Sequence, residues 1–294
     1  MRRRARGRSR PDPRWRDDRG RRLDRCGDAP VTRTPGSSAS SLAAVVSRTA
    51  VITGAGTGIG AATARTLANS CSTLVLVGRR LSKLEEVAAE LATSHSDVNT
   101  RVMSVDATDV AAVEAFAAWA SDALPSIDVL VNNAGSTQPA FSGGLQNVAD
   151  VWESTIRGNL MSAVLVTEAL LPQMTSPGGR VVITGSFAAQ FGTGSIAYSA
   201  AKSALQTYVV SLTRTQGPRG ITCNVVAPGY TGDTELVIGR ISEERHARLI
   251  GGIAVGRAAT SQEIANVIDF VASDGASFVT GQTITANGGV MFPG

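Results

Sequence analysis

The chain has 294 residues, room for one α/β domain of about 250 residues, and is 43% hydrophobic but only 4% aromatic. It has no apolar run of the roughly 18 residues a membrane-spanning helix needs, and its two histidines, His95 and His246, point away from a histidine triad or a multi-histidine metal site. Residues 1–30 hold 12 arginines and 5 aspartates; 16 basic and 19 acidic residues remain over 31–294, so the basic balance belongs to the tail and not to the domain.

The first segment, residues 1–46, is predicted to be a disordered, arginine-rich extension with too few apolar residues to fold. An arginine-rich arm can bind a polyanion, but nucleic-acid binding is not the reading favoured here. The segment lacks the apolar stretch of a secretory signal and has more aspartates than a transit peptide. From Val31 the chain runs VTRTPGSSASS, like the short start of a bacterial enzyme, so the expectation is that translation begins at Val31 and residues 1–30 are an annotation artefact.

The folded domain is expected over 47–294. TAVIT (49–53) reads as a strand, GIGAATARTLANS (58–70) as a helix and TLVLVG (73–78) as a strand. A helix follows over LSKLEEVAAELATS, with Ser82 and Glu85 spaced as a capping box. RVMSVD (101–106) is a strand, 110–124 a helix, and IDVLVNNAG (127–135) a strand running into a loop. One long helix is expected at about 150–174, a strand over RVVITGS (180–186), a helix over 197–216 and a strand over ITCNVVAP (221–228). A helix over 261–274, with Thr260 and Glu263 as its capping pair, and a last strand in GQTITANGG complete the series.

The strands are continuous apolar runs, so both sheet faces are covered. Their alternation with helices predicts a doubly wound parallel β-sheet, Rossmann-type, with helices on both faces. Such sheets bind ligands beyond the carboxyl ends of their strands. Cys26, Cys71 and Cys223 are odd in number and far apart, which fits a reducing, cytoplasmic setting and buried thiols.

Between the first strand and first helix lies TGAGTGIG (53–60). Glycines at 54, 58 and 60 let the backbone approach a pyrophosphate, which the helix N-terminus then receives. The second strand ends in VGRR, with Gly78 where an NAD site usually carries a carboxylate. Arg79 and Arg80 suit a 2′-phosphate, so NADP(H) is favoured over NAD(H). The plain alternative is two arginines opening a solvated helix.

Tyr198 and Lys202 are four residues apart, on one helix face. A phenol with a pKa near 10 is a weak base, and a neighbouring ammonium would lower it. Ser186 closes a strand, where its hydroxyl can stabilise a carbonyl oxygen gaining charge. Asn159, in RGNL, can hold a water for proton relay or simply bond nearby backbone.

Together these residues resemble the short-chain dehydrogenases/reductases of the ordinary single-domain type, over essentially all of 47–294. TGAGTGIG is similar to the family's cofactor loop, with Gly54, Thr57, Gly58, Ile59 and Gly60; NNAG, with Asn133, Ala134 and Gly135, resembles its fourth-strand motif. Asn159, Ser186, Tyr198 and Lys202 match the catalytic tetrad in order. NVVAPG, ending in Pro228 and Gly229, resembles the turn beside the nicotinamide, and Asp106 stands where the family contacts adenine. GRAATSQEIANVIDFVASDGASFVTGQTITANGG resembles the closing helix and strand.

Three positions depart from the pattern. Ser186 precedes Tyr198 by one residue fewer than is common. Asp233 stands where a threonine often binds the cofactor amide, so Thr231 or Thr234 would have to substitute; Thr231 is the expected contact. Asn287 replaces a frequent aspartate.

The resemblance implies hydride transfer between nicotinamide C4 and a carbonyl or secondary alcohol, in the manner of 3-oxoacyl thioester reductases. In it Tyr198 is the general acid/base, Ser186 positions the oxygen, Lys202 lowers the tyrosine pKa and orients the ribose, and Asn159 anchors the relay; Tyr198 and Lys202 also touch the cofactor. It implies no metal, a small-molecule carbonyl or alcohol substrate, and a homotetramer built through the helices at 150–174 and 197–216. Stretches near 138–147, 187–197 and 230–256 would shape the substrate pocket. The remaining readings are an NAD-linked alcohol dehydrogenase of the same family and a non-catalytic nucleotide-binding regulator.

Overall fold

The computed structural model describes residues 47–136, 143–235 and 237–290. The expectations for residues 1–46, including the start at Val31 and Cys26, and for part of 138–147, lie outside the described residues.

Seven parallel strands form one sheet: β1 Thr49–Thr53, β2 Thr73–Gly78, β3 Asn99–Ser104, β4 Val129–Asn132, β5 Arg180–Thr184, β6 Thr222–Pro228 and β7 Thr283–Ala286, in the order β3-β2-β1-β4-β5-β6-β7. The helices are α1 Gly58–Leu67, α2 Leu81–Ser94, α3 Val110–Ala123, α4 Leu145–Ile156, α5 Ser162–Leu170, α6 Ala188–Phe191, α7 Ile196–Gln216, α8 Glu243–Gly251 and α9 Ser261–Ala272.

The alternation of side chains along each strand separates two cores. Val51, Leu130, Val181 and Val225 face α3, α5 and α7, packing with Phe116, Val166, Leu205 and Val209. Their neighbours Ile52, Val131, Val182 and Val226 face the other layer, with Leu67 of α1, Leu84 of α2 and Ile268 of α9. Burial on both faces explains the unbroken apolar runs; the edge strands differ, β3 being exposed or half-buried along its length and β7 half-buried throughout. β1 pairs with both β2 and β4, at Thr53↔Val77 and Thr53↔Asn132. The chain leaves these two neighbours in opposite directions across the sheet, and this crevice is where such folds hold ligands.

Several boundaries differ from the sequence reading. The helix expected at about 150–174 begins at Leu145 and is interrupted: α4 gives way to a π-helical turn, Arg157–Met161, before α5, and a 3₁₀ turn follows at Leu171–Gln173. The capping box at Ser82 and Glu85 does not form. α2 begins at Leu81 with Arg80 as its N-cap, and the Arg80 carbonyl accepts the Lys83 and Leu84 N–H groups at 3.1 and 3.3 Å. Ser82 therefore lies inside the first turn. The box at Thr260 and Glu263 does form, with N–H to side-chain distances of 3.2 and 2.9 Å. Neither α6 nor α8 was foreseen, and no described helix is long and apolar enough to cross a membrane.

Candidate active site

The glycine loop joins β1 to α1. Gly54 and Gly58 adopt φ of 65° and 52°, which only glycine takes without strain. Gly60 answers to space instead: a Cβ there would lie 2.1 Å from the Gly54 carbonyl oxygen and 2.6 Å from Asn133 Nδ2. The end of β4 is tied to this loop. Thr53 Oγ1 accepts the backbone N–H groups of Asn133 and Ala134 at 3.0 and 3.1 Å, and Asn133 Nδ2 donates to Gly54 O at 3.2 Å.

A cleft of about 520 Å³ opens over these strand ends, lined by Thr53–Gly54 and Gly56–Ile59, by Val77–Arg80, by Val105–Thr108 and by Asn133–Ser136. Its volume suits a small-molecule ligand. Thr57, the N-cap of α1, makes no side-chain cap, and no acidic side chain sits in the first turn, so the first N–H groups remain available to an anion. A loop folded too tightly at Gly60 to admit a side chain, beside open helix donors, fits a nucleotide pyrophosphate.

Arg79 is exposed beside Asp106 at the rim. The Thr108 backbone N–H, first of all, holds the Asp106 carboxyl below its usual range against burial, helped by the Thr108 hydroxyl and the Arg79 and Arg157 guanidinium groups; the two Thr108 contacts are 2.9 and 2.8 Å. Arg80 is engaged across the cleft. Its Nη1 and Nη2 donate to the Glu235 carboxylate at 3.0 and 2.7 Å, and Nη2 also reaches Thr57 Oγ1 at 3.4 Å. The sequence reading missed Glu235, which no motif marks.

At the other end, α7 presents Tyr198 and Lys202 on one face, with Lys202 Nζ 5.9 Å from the Tyr198 ring centroid. Lys202 is buried and donates to the Thr184 carbonyl oxygen at 2.9 Å. Desolvation pushes its ammonium from 10.5 down to about 8. The Tyr198 phenol moves up, because burial outweighs a hydrogen bond with the Ser186 hydroxyl. The expectation that Lys202 makes the phenol more acidic is corrected here: removal from water governs both groups and drives their pKa values apart in the opposite sense.

Ser186 follows β5, and its Oγ accepts the Ala188 N–H at 3.1 Å. The short connection to Tyr198 holds α6 and turns at Gly192 and Gly194. Asn159 lies in the π-helical turn. Its Oδ1 accepts the Ser136 N–H at 3.1 Å, while Nδ2 donates to the Ser136 and Thr155 carbonyl oxygens at 2.8 and 3.0 Å. The carboxamide is thus spent on backbone. A Cβ on Gly135 would sit 3.0 Å from Asn159 Oδ1 and 3.5 Å from Lys202 Nζ, so the tetrad abuts the cleft at Gly135.

Beyond β6, a Cβ on Gly229 would lie 2.7 Å from Asn287 Cα, which fixes the glycine after Pro228. Thr231 is buried, bridges Ala259 and donates to the Gly229 carbonyl oxygen at 3.3 Å. Asp233 caps α9, accepting the Ser261 N–H at 2.9 Å and its hydroxyl at 2.8 Å. Thr234, rather than Thr231, lines the cleft, with its methyl 3.4 Å from a Cβ placed on Gly58.

A family model described as enoyl-(acyl carrier protein) reductase matches residues 54–291. The chain is 34% identical over 243 residues to the 3-oxoacyl-[acyl-carrier-protein] reductase FabG of Escherichia coli K12, covering 82% of this chain and 96% of that protein. It is 37% identical over 250 residues to the cis-4-hydroxycyclohexanecarboxylate dehydrogenase of Sinomonas cyclohexanicum, covering 84% and 97%. A solved short-chain dehydrogenase from Burkholderia cenocepacia J2315, in complex with NADP, superposes with a TM-score of 0.75 at 27% identity, over 83% of this chain and 98% of that one. The chain belongs to the short-chain dehydrogenase/reductase family and is an oxidoreductase acting on CH–OH and C=O groups.

Proposed function

We propose that the protein is an NADP(H)-dependent reductase of ketones or 3-oxoacyl thioesters. The observation that carries this reading is the cluster of half-buried Ser186 and Tyr198 with buried Lys202, which adjoins at Gly135 a glycine-floored cleft that also presents Arg79 and Arg80. Bound in the cleft, the dinucleotide supplies the hydride in reduction and accepts it in alcohol oxidation.

The chain's own residues manage the proton. A phenol raised by burial stays protonated at neutral pH, so Tyr198 is a donor to the carbonyl oxygen as that oxygen gains charge. Ser186, hydrogen-bonded to the same phenol, positions that oxygen and stabilises its charge. Once Tyr198 has given its proton, Lys202, acidic at about 8, lies below it, and proton return from lysine to tyrosine runs downhill. Lys202 Nζ is hydrogen-bonded to the Thr184 carbonyl oxygen, so a bridging hydroxyl or water would carry the proton to the phenol. Asn159 serves this relay by holding Ser136, and with it Gly135, against Lys202.

Tyr198→Phe is the test. NADPH binding, followed by fluorescence, should stay near wild type, while turnover on β-keto thioesters, cyclic ketones, quinones or sugars should fall by at least about 10²-fold, the scale of general acid catalysis. Retention of most of the activity would refute the role given to Tyr198, and a wild-type preference for NADH would refute the cofactor assignment. The relative that is a dehydrogenase of a hydroxycyclohexane acid favours a second reading, oxidation of a cyclic secondary alcohol, which the same panel run in reverse distinguishes. The buried free thiols of Cys71 and Cys223 fit work in a reducing cytoplasm. Exposed Phe270 and Phe278 fit a homo-oligomer.

A further inference from the structure

Glu235 sits on the lip of the cleft opposite Arg80, 155 residues away in sequence. Its carboxylate takes both terminal nitrogens of Arg80, at 3.0 and 2.7 Å, while Arg80 Nη2 reaches Thr57 Oγ1 at 3.4 Å. Two guanidinium N–H groups and a hydroxyl at the start of α1 thus gather about one anionic group. Paired N–H donors in that fork match a phosphate as well as they match a carboxylate. Gly78, beside them, has no side chain to compete.

The base that delivers Glu235 is fixed. Thr231 bridges Ala259, Asp233 is clamped to the N-terminus of α9, and Thr234 is buried against Gly58. Beyond Glu235 the chain leads to α8, which buries no residue. The carboxylate therefore reaches over the cleft from a rigid support and holds the Arg80 fork that a ribose 2′-phosphate would need.

We infer that Glu235 is a specificity-determining residue: an internal carboxylate that occupies the 2′-phosphate position on Arg80 and Thr57, must be displaced by NADP(H), and so narrows the margin by which the protein prefers NADP(H) to NAD(H). The inference rests on the reading that the cleft takes NADP(H). Both partners are about half exposed, so the ion pair alone is worth a factor of roughly two to five. Repulsion between the carboxylate and a phosphate dianion adds to this and is screened by salt.

The experiment is direct titration of the full chain with NADPH and with NADH, read by cofactor fluorescence, for wild type, Glu235→Gln, Arg80→Ala and the double variant, with Glu235→Ala as a second removal of the charge. Removing the carboxylate should tighten NADPH roughly three- to tenfold, leave NADH within about twofold, and lose most of the gain in high salt. In the Arg80→Ala background the part of the gain owed to the ion pair should vanish, leaving at most the repulsive part, which high salt removes. Unchanged or weaker NADPH binding in both Glu235 variants overturns the inference, as does an equal gain for NADH. If Arg79→Ala and Arg80→Ala leave NADPH affinity untouched, the NADP reading itself has failed. If they weaken it while the Glu235 variants do not strengthen it, only the competition has failed.

Discussion

Lys202→Met replaces a buried ammonium by an apolar chain of similar length, and the structure sets its consequences for stability against those for activity. Lys202 is 4% exposed, and desolvation brings it from 10.5 to about 8. At 1.36 kcal/mol for each pH unit, the charged form is about 3 kcal/mol costlier in the folded protein than in water. Against this stands one hydrogen bond among the described residues, to the Thr184 carbonyl oxygen, whose loss leaves a buried acceptor unmet at about 1–3 kcal/mol. The ligand-free variant should therefore match wild type or exceed it by up to about 2 kcal/mol near neutral pH, while its turnover falls by about 10²-fold or more.

The sign of the pH dependence follows from the depressed pKa. Below about 8 lysine is charged in both states and the wild type carries the full penalty; between about 8 and 10.5 only the unfolded chain binds the proton, so wild-type stability rises with pH. Cys71 and Cys223, raised by burial to about 11 and about 12, act oppositely at alkaline pH, but they do so in both proteins. The difference in unfolding free energy between variant and wild type, from urea titrations at about pH 7 and about pH 9.5, isolates the lysine and should shift toward wild type by about 2 kcal/mol. A difference that stays constant with pH, or a variant destabilised by more than about 2 kcal/mol near neutrality, would refute the reasoning.

Two other substitutions probe the frame of the cleft. Asp233→Ala removes charge-assisted hydrogen bonds to the Ser261 N–H and hydroxyl and should lower unfolding free energy by about 1–3 kcal/mol; unchanged melting would remove its capping role. Gly60→Ala places a methyl 2.1 Å from Gly54 O and should weaken NADPH at least about fivefold through an overpacking cost of roughly 1–3 kcal/mol. Gly144→Ala, where nothing lies within 4 Å, is the neutral control, and equal behaviour of the two alanines would contradict the close-packing argument.

What the sequence made legible follows from how local each signal is. The strands β1 and β5 are buried throughout, so TAVIT and RVVIT announce themselves without a partner. Thr260 and Glu263 cap α9 within four residues. Ser82 and Glu85 carry the same spacing, but β2 ends at Gly78 and leaves only two residues before α2, so the helix begins ahead of its supposed cap. The π-helical turn at Arg157–Met161 is a slight widening that apolar periodicity does not register. α8 buries nothing and has no apolar stripe on the core; its one legible mark is Ser242, whose hydroxyl accepts the Arg245 N–H at 3.3 Å. Tyr198 and Lys202 were found because four residues on a helix define a face. Glu235 was not, because its partner is 155 residues away.

Spacing shows which groups meet, not how much water they keep. Two groups four residues apart on a solvated helix would shift each other by charge alone, and an ammonium would then make a phenol more acidic. Here Lys202 and Tyr198 lose water together, and desolvation disfavours an ammonium and a phenolate alike. The phenol becomes the better keeper of the proton and the lysine the readier donor, the order that the proposed carbonyl reduction would use. Lys202 Nζ lies 3.5 Å from the position a Cβ would take on Gly135, at the floor of the cleft, so a ligand lying there that offers oxygen acceptors relieves its desolvation and draws it toward the charged form.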